Sequence, residues 1–265
     1  MKSNLLKRKK DANKNDFGHV LVIGGDYGMG GAAIMAAESA VKSGAGRVSV
    51  LTRNCHLSAL LARCPNVMTI DENNISDKIF DNKNVIVIGC GLGLSAWSKR
   101  LFKLAMKCNL PKIIDADALN LIAQSKSKFD LKNSIITPHV GEAARLLGVE
   151  VLEIKKDRLK AVKDLYKKFG AISVLKESGT LVFDGKEIYK CNFGNPGMAV
   201  AGMGDVLSGV IAGFVAQKIG LEEAAIFGVE IHAIAGDLAA KKHGEIGLSP
   251  IDLIGYVREA IGVSP

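Results

Sequence analysis

Short apolar runs that close on a glycine or a polar residue and then give way to a helix-period segment recur through this chain. His19–Ile23 closes on Gly24-Gly25 and leads to an Ala-rich helix over 31–42, and Arg47–Leu51 follows as the next run. Val85–Ile88 closes on Gly89 and leads to a helix over Ala96–Lys107. Lys112–Ile114 closes on Asp115-Ala116-Asp117 before a helix over 118–124. Residues 135–136 close on Thr137-Pro138-His139 before a helix ending at Leu147. Runs this short and this apolar fit strands buried on both faces. Strands separated by helices pair in parallel through right-handed crossovers. Further helices are expected over Leu57–Arg63 and Arg158–Phe169, then a strand over Ile172–Leu175. The rhythm then changes. Asp184-Gly185 joins runs over 180–183 and 187–191 and predicts an antiparallel hairpin. Helices over 203–218, 222–242 and 251–261 complete an α/β chain, a mostly parallel central sheet with helices on both faces and the hairpin toward one edge.

Bulk properties narrow the class. With 265 residues, 48% hydrophobic, and no linker or repeat, the chain is read as one domain over 17–265 behind a basic arm over 1–16. No apolar run has the length of a membrane span, and no apolar core follows Lys7 to Lys10, so neither membrane nor secretory signal is expected. The net charge of +8 is concentrated in Lys2, Lys7, Arg8, Lys9, Lys10 and Lys14. Aromatics are only 5% and do not interleave with the basic residues, which argues against nucleic acid. A modest basic surplus suits anionic small substrates. Five irregularly spaced cysteines with no Cys-x-x-Cys point to a reducing, cytoplasmic setting without disulfides or a zinc site.

The strand ends carry the polar chemistry, and ligands of such sheets bind there. Gly28-Met29-Gly30-Gly31-Ala32-Ala33 matches a dinucleotide fingerprint, but it lies three residues beyond Gly25. The second strand ends on Thr52-Arg53, with no carboxylate for a ribose diol; Arg53 would suit a 2′-phosphate instead. A substrate loop is the better reading than a dehydrogenase. Gly89-Cys90-Gly91-Leu92-Gly93 is a strand-to-helix turn. Asp115 and Asp117 are turn and cap residues or have a metal or water role. His139 is placed to touch a ligand, and Glu142 opens a helix, where it could orient a magnesium-bound water. Lys176, Ser178 and the N–H groups around Gly179 suit phosphate or ribose, although no P-loop is present.

The densest signal is the stretch from Gly194 to Gly213, a glycine-rich turn around Pro196 that runs into an apolar helix. Unpaired N–H groups and the helix dipole make such a junction an anion site. Asp205 is there either a helix cap or a carboxylate held beside a bound phosphate. Gly209 and Gly213 lie within the helix at roughly 1 kcal/mol each relative to alanine, so something must approach its backbone closely.

Taken together these segments resemble the ADP-dependent NAD(P)H-hydrate dehydratases. The resemblance rests on Asp16-Phe17-Gly18-His19, Val22-Ile23-Gly24-Gly25, Gly30 to Ala33, Ser43 to Val48, Asp115 to Asn120, Thr137 to Glu142, Lys176 to Thr180 and Gly194 to Gly209, and it spans nearly the whole chain. It implies a ribokinase-like fold and a lyase of metabolite repair: a hydrated NADH or NADPH (NADHX, NADPHX) is phosphorylated on its hydroxyl by ADP, or ATP, and phosphate then leaves. By the same resemblance Asp205 is the base and Gly202, Met203 and Gly204 form the anion hole. Lys176, Glu177, Ser178, Gly179, Thr180 and Gly204 bind the nucleotide. Ala32 or Ala33, Gly91, His139 and Asp205 bind the hydrate. Magnesium, with ligands unassigned, and a homotetramer are implied too, as is a functional link to an NAD(P)HX epimerase, often fused ahead of this domain; either the epimerase is a separate protein, or this chain is a stand-alone repair enzyme or an excised domain. Val140 and Cys90 depart from the family pattern. A helix N-terminus lowers a carboxylate pKa, so Asp205 is expected to gain basicity only beside bound phosphate. The same Gly-x-Gly-Asp site would also serve a small-molecule kinase of the hydroxyethylthiazole-kinase type.

Overall fold

The apolar runs pair as the sequence predicts. In the computed structural model, which describes residues 8–263, nine strands form one sheet. They are β1 (His19–Ile23), β2 (Arg47–Leu51), β3 (Met68–Ile70), β4 (Val85–Ile88), β5 (Lys112–Ile114), β6 (Ser134–Ile136), β7 (Ile172–Leu175), β8 (Leu181–Phe183) and β9 (Ile188–Lys190). The spatial order is β3-β2-β1-β4-β5-β6-β7-β8-β9. Pairings from β3 through β7 are parallel, and β7-β8 and β8-β9 are antiparallel. The Asp184-Gly185 hairpin forms, with Gly185 at φ +97° and the Asp184 carboxylate accepting from the Lys186 and Glu187 N–H groups at 2.8 Å.

Both faces of the sheet are dry. Val20, Val22, Val48, Val50, Val85 and Val87 pack against α1 (Gly30–Lys42), α8 (Met203–Ala216), α9 (Leu221–His243) and α10 (Pro250–Val263). Leu21, Ile23, Ile86, Ile88, Ile114 and Ile136 face α3 (Ala96–Lys107), α4 (Ala116–Gln124), α5 (Val140–Leu147) and α7 (Arg158–Phe169). Two elements escape the sequence reading. Strand β3 is a three-residue edge strand, mostly exposed, without an apolar alternation to betray it. Helix α6 (Val151–Lys156) is a six-residue turn held by a Glu150/Glu153 capping box.

The close approach expected around Gly209 and Gly213 is helix α1. A Cβ on Gly209 would lie 2.1 Å from the Ala36 carbonyl oxygen and 2.1 Å from Ser39 Oγ; one on Gly213 would lie 2.0 Å from Ser43 Oγ. The small residues of α1 and α8 therefore pack internally, one helix into the other. Gly209→Ala presses a methyl group into a backbone carbonyl that cannot swing away. We expect it to lower stability by about 3 kcal/mol, read as a shift in the urea midpoint at unchanged slope.

Of the basic arm, residues 1–7 lie outside the described residues. Arg8 stacks on Phe17, 3.8 Å from the ring centroid, and donates to the Gly44 carbonyl at 2.8 Å. No helix among the described residues is long and apolar enough to cross a membrane.

Candidate active site

The order in which the chain adds its parallel strands reverses between β1 and β4. From β1 the next strand lies on one side, while β4 to β7 follow on the other. Such a switch point opens a crevice at the strands' carboxyl ends. Here the two loops that border it are bonded together. Gly25 N–H donates to the Cys90 carbonyl at 3.0 Å and Asp26 N–H to the Gly91 carbonyl at 2.7 Å. A Cβ on Gly24 would lie 2.1 Å from the Cys90 oxygen, so glycine is required for this approach.

Helix α8 aims its N-terminus into the crevice. Gly202 precedes it at φ +96°, a left-handed conformation in which side chains are strained. The first helical bond runs from Val206 N–H to the Gly202 carbonyl. The N–H groups of Met203, Gly204 and Asp205 thus have no partner within the helix and face the crevice. Asp205 occupies the third helical position without acting as the cap, because Gly202 is the cap and no side chain caps this helix. Its pKa is raised from 3.8 to about 7. Burial is the main cause and the charge of Asp115 adds to it, outweighing the Cys90 thiol, which donates to Asp205, and the Lys176 ammonium. This differs from the expectation of a carboxylate acidified by the helix: burial and the Asp115 charge push Asp205 up.

Beneath Asp205 lies a network that the sequence does not announce. Asp115, buried at the end of β5, accepts from Lys176 Nζ at 2.6 Å through one oxygen and from Ser208 Oγ at 2.9 Å through the other. Burial alone would raise its pKa, but the Lys176 charge and the bonds from Lys176, Ser208 and Thr137 hold it below the usual carboxylate range. Lys176 is likewise kept charged against burial by Asp115 and Glu142, whose carboxylate lies 4.0 Å from Nζ. Burial, with Asp115 nearby, pushes Glu142 up. A Cβ on Gly204 would come within 3.0 Å of Lys176 Nζ, so the ammonium adjoins the start of α8. Ala116, between the two aspartates, has φ +44°. Asp117 turns the other way and accepts from Gly93 N–H at 2.7 Å.

His139 has two roles. Its Nδ1 accepts from the N–H groups of Gly141 at 2.9 Å and Glu142 at 3.4 Å, while Glu142 Oε2 accepts from the His139 N–H at 2.8 Å. That reciprocal capping of α5 puts the ring proton on Nε2 and leaves the ring half-exposed at the crevice. Burial, followed by Lys176 and Arg145, lowers its pKa, so it is neutral at pH 7.

Ala32 is partly exposed and faces Gly91, where a Cβ would lie 3.0 Å from the Ala32 methyl. Ala33 is fully buried beside Gly25 and belongs to the core, so of the two only Ala32 borders the crevice. The loop Lys176–Glu177–Ser178–Gly179–Thr180 is pinned from α7, whose Arg158 donates to the Ser178 and Gly179 carbonyls at 2.8 and 2.7 Å. Glu177 and Ser178 remain exposed, and Thr180 Oγ1 donates back to the Glu177 carbonyl at 3.0 Å. Nothing in the sequence around Arg158 marks it for this task. Arg53, considered above for a 2′-phosphate, is already held by Asp26 at 2.7 Å and Glu72 at 2.9 Å.

A metal could be held only poorly by the protein alone. Among the described residues Cys90, Asp115 and Asp205 bring ligand atoms within 4.8 Å of one another. Magnesium takes hard oxygen ligands in octahedral array. Here one candidate is a thiol that burial keeps protonated, and both Asp115 oxygens are taken. The trio does not fit a magnesium cage.

Comparison with known proteins agrees with this architecture. A family described as NAD(P)H-hydrate dehydratase matches residues 20–258. The chain is 48% identical over 257 residues to a bifunctional NAD(P)H-hydrate repair enzyme of Coxiella burnetii, covering 96% of this chain and 52% of that protein. It thus spans about half the length of the bifunctional relatives it matches. It is 36% identical over 243 residues to an ADP-dependent (S)-NAD(P)H-hydrate dehydratase of Staphylococcus aureus, covering 90% of this chain and 87% of that one. A solved ribokinase-like superfamily protein from Enterococcus faecalis superposes with a TM-score of 0.89 at 32% identity, over 99% and 94% of the two chains. The fold is ribokinase-like.

Proposed function

The chain belongs to the NAD(P)H-hydrate dehydratase family, and on that premise we propose that it returns NADHX and NADPHX to NADH and NADPH with ADP as phosphoryl donor. The observation that carries the reading is Asp205, a half-buried carboxylate with a pKa of about 7 beside the N–H groups that open α8 without a partner in the helix. A base works best when its pKa lies near the operating pH, and phosphoryl transfer needs positioning and charge stabilisation above all.

In this reading the hydrate lies between Ala32, Gly91 and His139, and ADP lies along Lys176 to Thr180. Asp205 takes the proton of the hydrate hydroxyl as its oxygen attacks the β-phosphorus of ADP, and the bond to the AMP oxygen breaks. The N–H groups of Met203 and Gly204, with the Lys176 ammonium, oppose the charge on the transferring group. The ring nitrogen then expels phosphate and the neighbouring carbon gives up a proton, restoring the double bond. The sum is NADHX plus ADP giving NADH, AMP and phosphate.

Magnesium enters the reading as the counter-ion of the nucleotide's own phosphates, not as a protein-caged ion. Five free cysteines among the described residues suit a cytoplasmic setting. The bifunctional relatives support a functional link to an epimerase. A homotetramer rests on the family resemblance, since the small-residue faces of α1 and α8 are used internally.

The deciding experiment supplies NADHX with magnesium and either ADP or ATP and follows the return of reduced-nicotinamide absorbance. Recovery with ADP, one AMP and one phosphate per NADH, and loss of turnover in excess EDTA are expected. Phosphate retained on an alcohol product would make the protein a kinase, and full activity in EDTA would remove magnesium.

A further inference from the structure

One exposed aromatic residue at the crevice has a rigid mount and no task in the chemistry above. Tyr27 follows the β1 loop and is 67% exposed, high for an aromatic side chain. Its ring lies against the Arg53 guanidinium, whose central carbon is 4.4 Å from the centroid, and the same carbon lies 4.3 Å from the Trp97 centroid. Asp26 and Glu72 hold the guanidinium in its plane. Asp26 is fixed in turn by the Ser95 hydroxyl at 2.7 Å and the Ser98 hydroxyl at 3.2 Å. The turn itself is closed: Tyr27 N–H donates to Asp26 Oδ1 at 2.9 Å and Met29 N–H to the Asp26 carbonyl at 2.9 Å. A surface tyrosine is thus immobilised from one face and backbone, with its other face open.

This mount is continuous with the crevice. A Cβ on Gly93 would lie 3.0 Å from Asp26 Oδ2 and 3.2 Å from Met29 Cε, and Gly93 is tied to Asp117. Gly91 touches Met29 and Ala32. Tyr27 therefore stands at the end of the row that leads from Asp205 through its partner Cys90 to Gly91, Ala32 and Met29. The loop at Lys176 lies after β7, four strands from β1, or about 19 Å at the usual strand spacing.

We propose that the open face of Tyr27 is a stacking platform for a purine base, and that the base is the adenine of the dinucleotide substrate. The proposal rests on the reading of the chain as a hydrate dehydratase. A planar base stacks on an aromatic face without needing hydrogen-bond readout. A ring already fixed by Arg53 loses little freedom when it does so. Adenine is also present in ADP, but ADP is assigned to the loop after β7, four strands along the same edge, so the dinucleotide is the source the geometry favours.

The test compares NADHX with the corresponding hydrate of reduced nicotinamide mononucleotide, which has the same reacting ring and no adenosine. Tyr27→Ala is expected to raise KM for NADHX about tenfold while moving KM for the mononucleotide hydrate and for ADP less than twofold. Tyr27→Trp keeps the wild-type ratio between the two substrates. A rise for both hydrates alike would overturn the platform and make Tyr27 a structural residue. A rise for ADP alone would transfer the base to the nucleotide. No change for any substrate would refute the site outright. Turnover of NADHX by the wild-type protein is read first, and its absence would fail the dehydratase reading itself rather than the platform. Thermal unfolding of Tyr27→Ala separates a folding defect from a binding one.

Discussion

Asp205→Asn lowers the turnover of NADHX roughly a thousandfold, the middle of the range for loss of a positioned general base, and at the same time makes the protein more stable. Both effects come from burial. The amide keeps the shape of the side chain and can still meet Cys90, but it takes no proton. In the wild type the folded pKa of Asp205 is raised from 3.8 to about 7. The folded state therefore holds the proton more tightly than the unfolded one, and the stability due to this group is greatest at low pH and declines as pH rises from about 4 to about 7. At pH 8 the carboxylate is ionised in a site that disfavours its charge, with Asp115 beside it. The penalty is at most about 4 kcal/mol, and part of it returns on substitution. Urea unfolding at pH 8 is expected to show a gain of about 1–4 kcal/mol that disappears near pH 4. Wild-type kcat/KM should climb with pH through about 7, the same titration seen from the side of activity. A variant with near-normal turnover would remove Asp205 as the base. One that is inactive but no more stable would locate its pKa near that of an ordinary aspartate.

Sequence and structure part company at long-range contacts. The strands of the parallel region were legible because each is a near-continuous apolar run, which only a sheet covered on both faces accommodates. The hairpin was legible from Asp184-Gly185, since its turn is set by two adjacent residues. Strand β3 was not, because Met68–Ile70 lies at an edge where burial imposes no pattern. At the site, the start of α8 was evident from its glycines, but the state of Asp205 was not. A local rule, the helix terminus, predicted an acidified carboxylate; burial and the charge of Asp115, 90 positions away in the chain, decide otherwise against the Cys90 thiol. The pairing of Lys176 with Asp115 is of the same kind. Each residue stands alone in sequence as a turn or loop residue, and their relation exists only because β5 and β7 end side by side around β6.

Lys176→Met is expected to be the most destabilising single change in the site, by about 3–5 kcal/mol, and to abolish turnover. Methionine fills much the same space, so packing changes little. What is lost is the one cation that, among the described residues, pairs with Asp115, whose side chain is 1% exposed, while Lys176 itself is 20% exposed. Asp115 would keep its bond from Ser208 but face Asp205 and Glu142 as three buried or half-buried carboxylates with no ammonium among them. The sign of the pH dependence identifies the cause. In the wild type the folded pKa of Asp115 is depressed, so its contribution is present above the unfolded value near 4 and is lost as pH falls through the folded one. Without Lys176 the folded pKa rises above the unfolded value. The variant then becomes more stable as pH falls, and its deficit against wild type narrows below about pH 5. Asp115→Asn in the Lys176→Met background removes the stranded charge and should recover a large part of the loss, which a double-mutant cycle in urea measures. A deficit independent of pH and untouched by Asp115→Asn would mean that Lys176 stabilises the fold through its methylene stem, and the ion pair would then have no part in holding the site together.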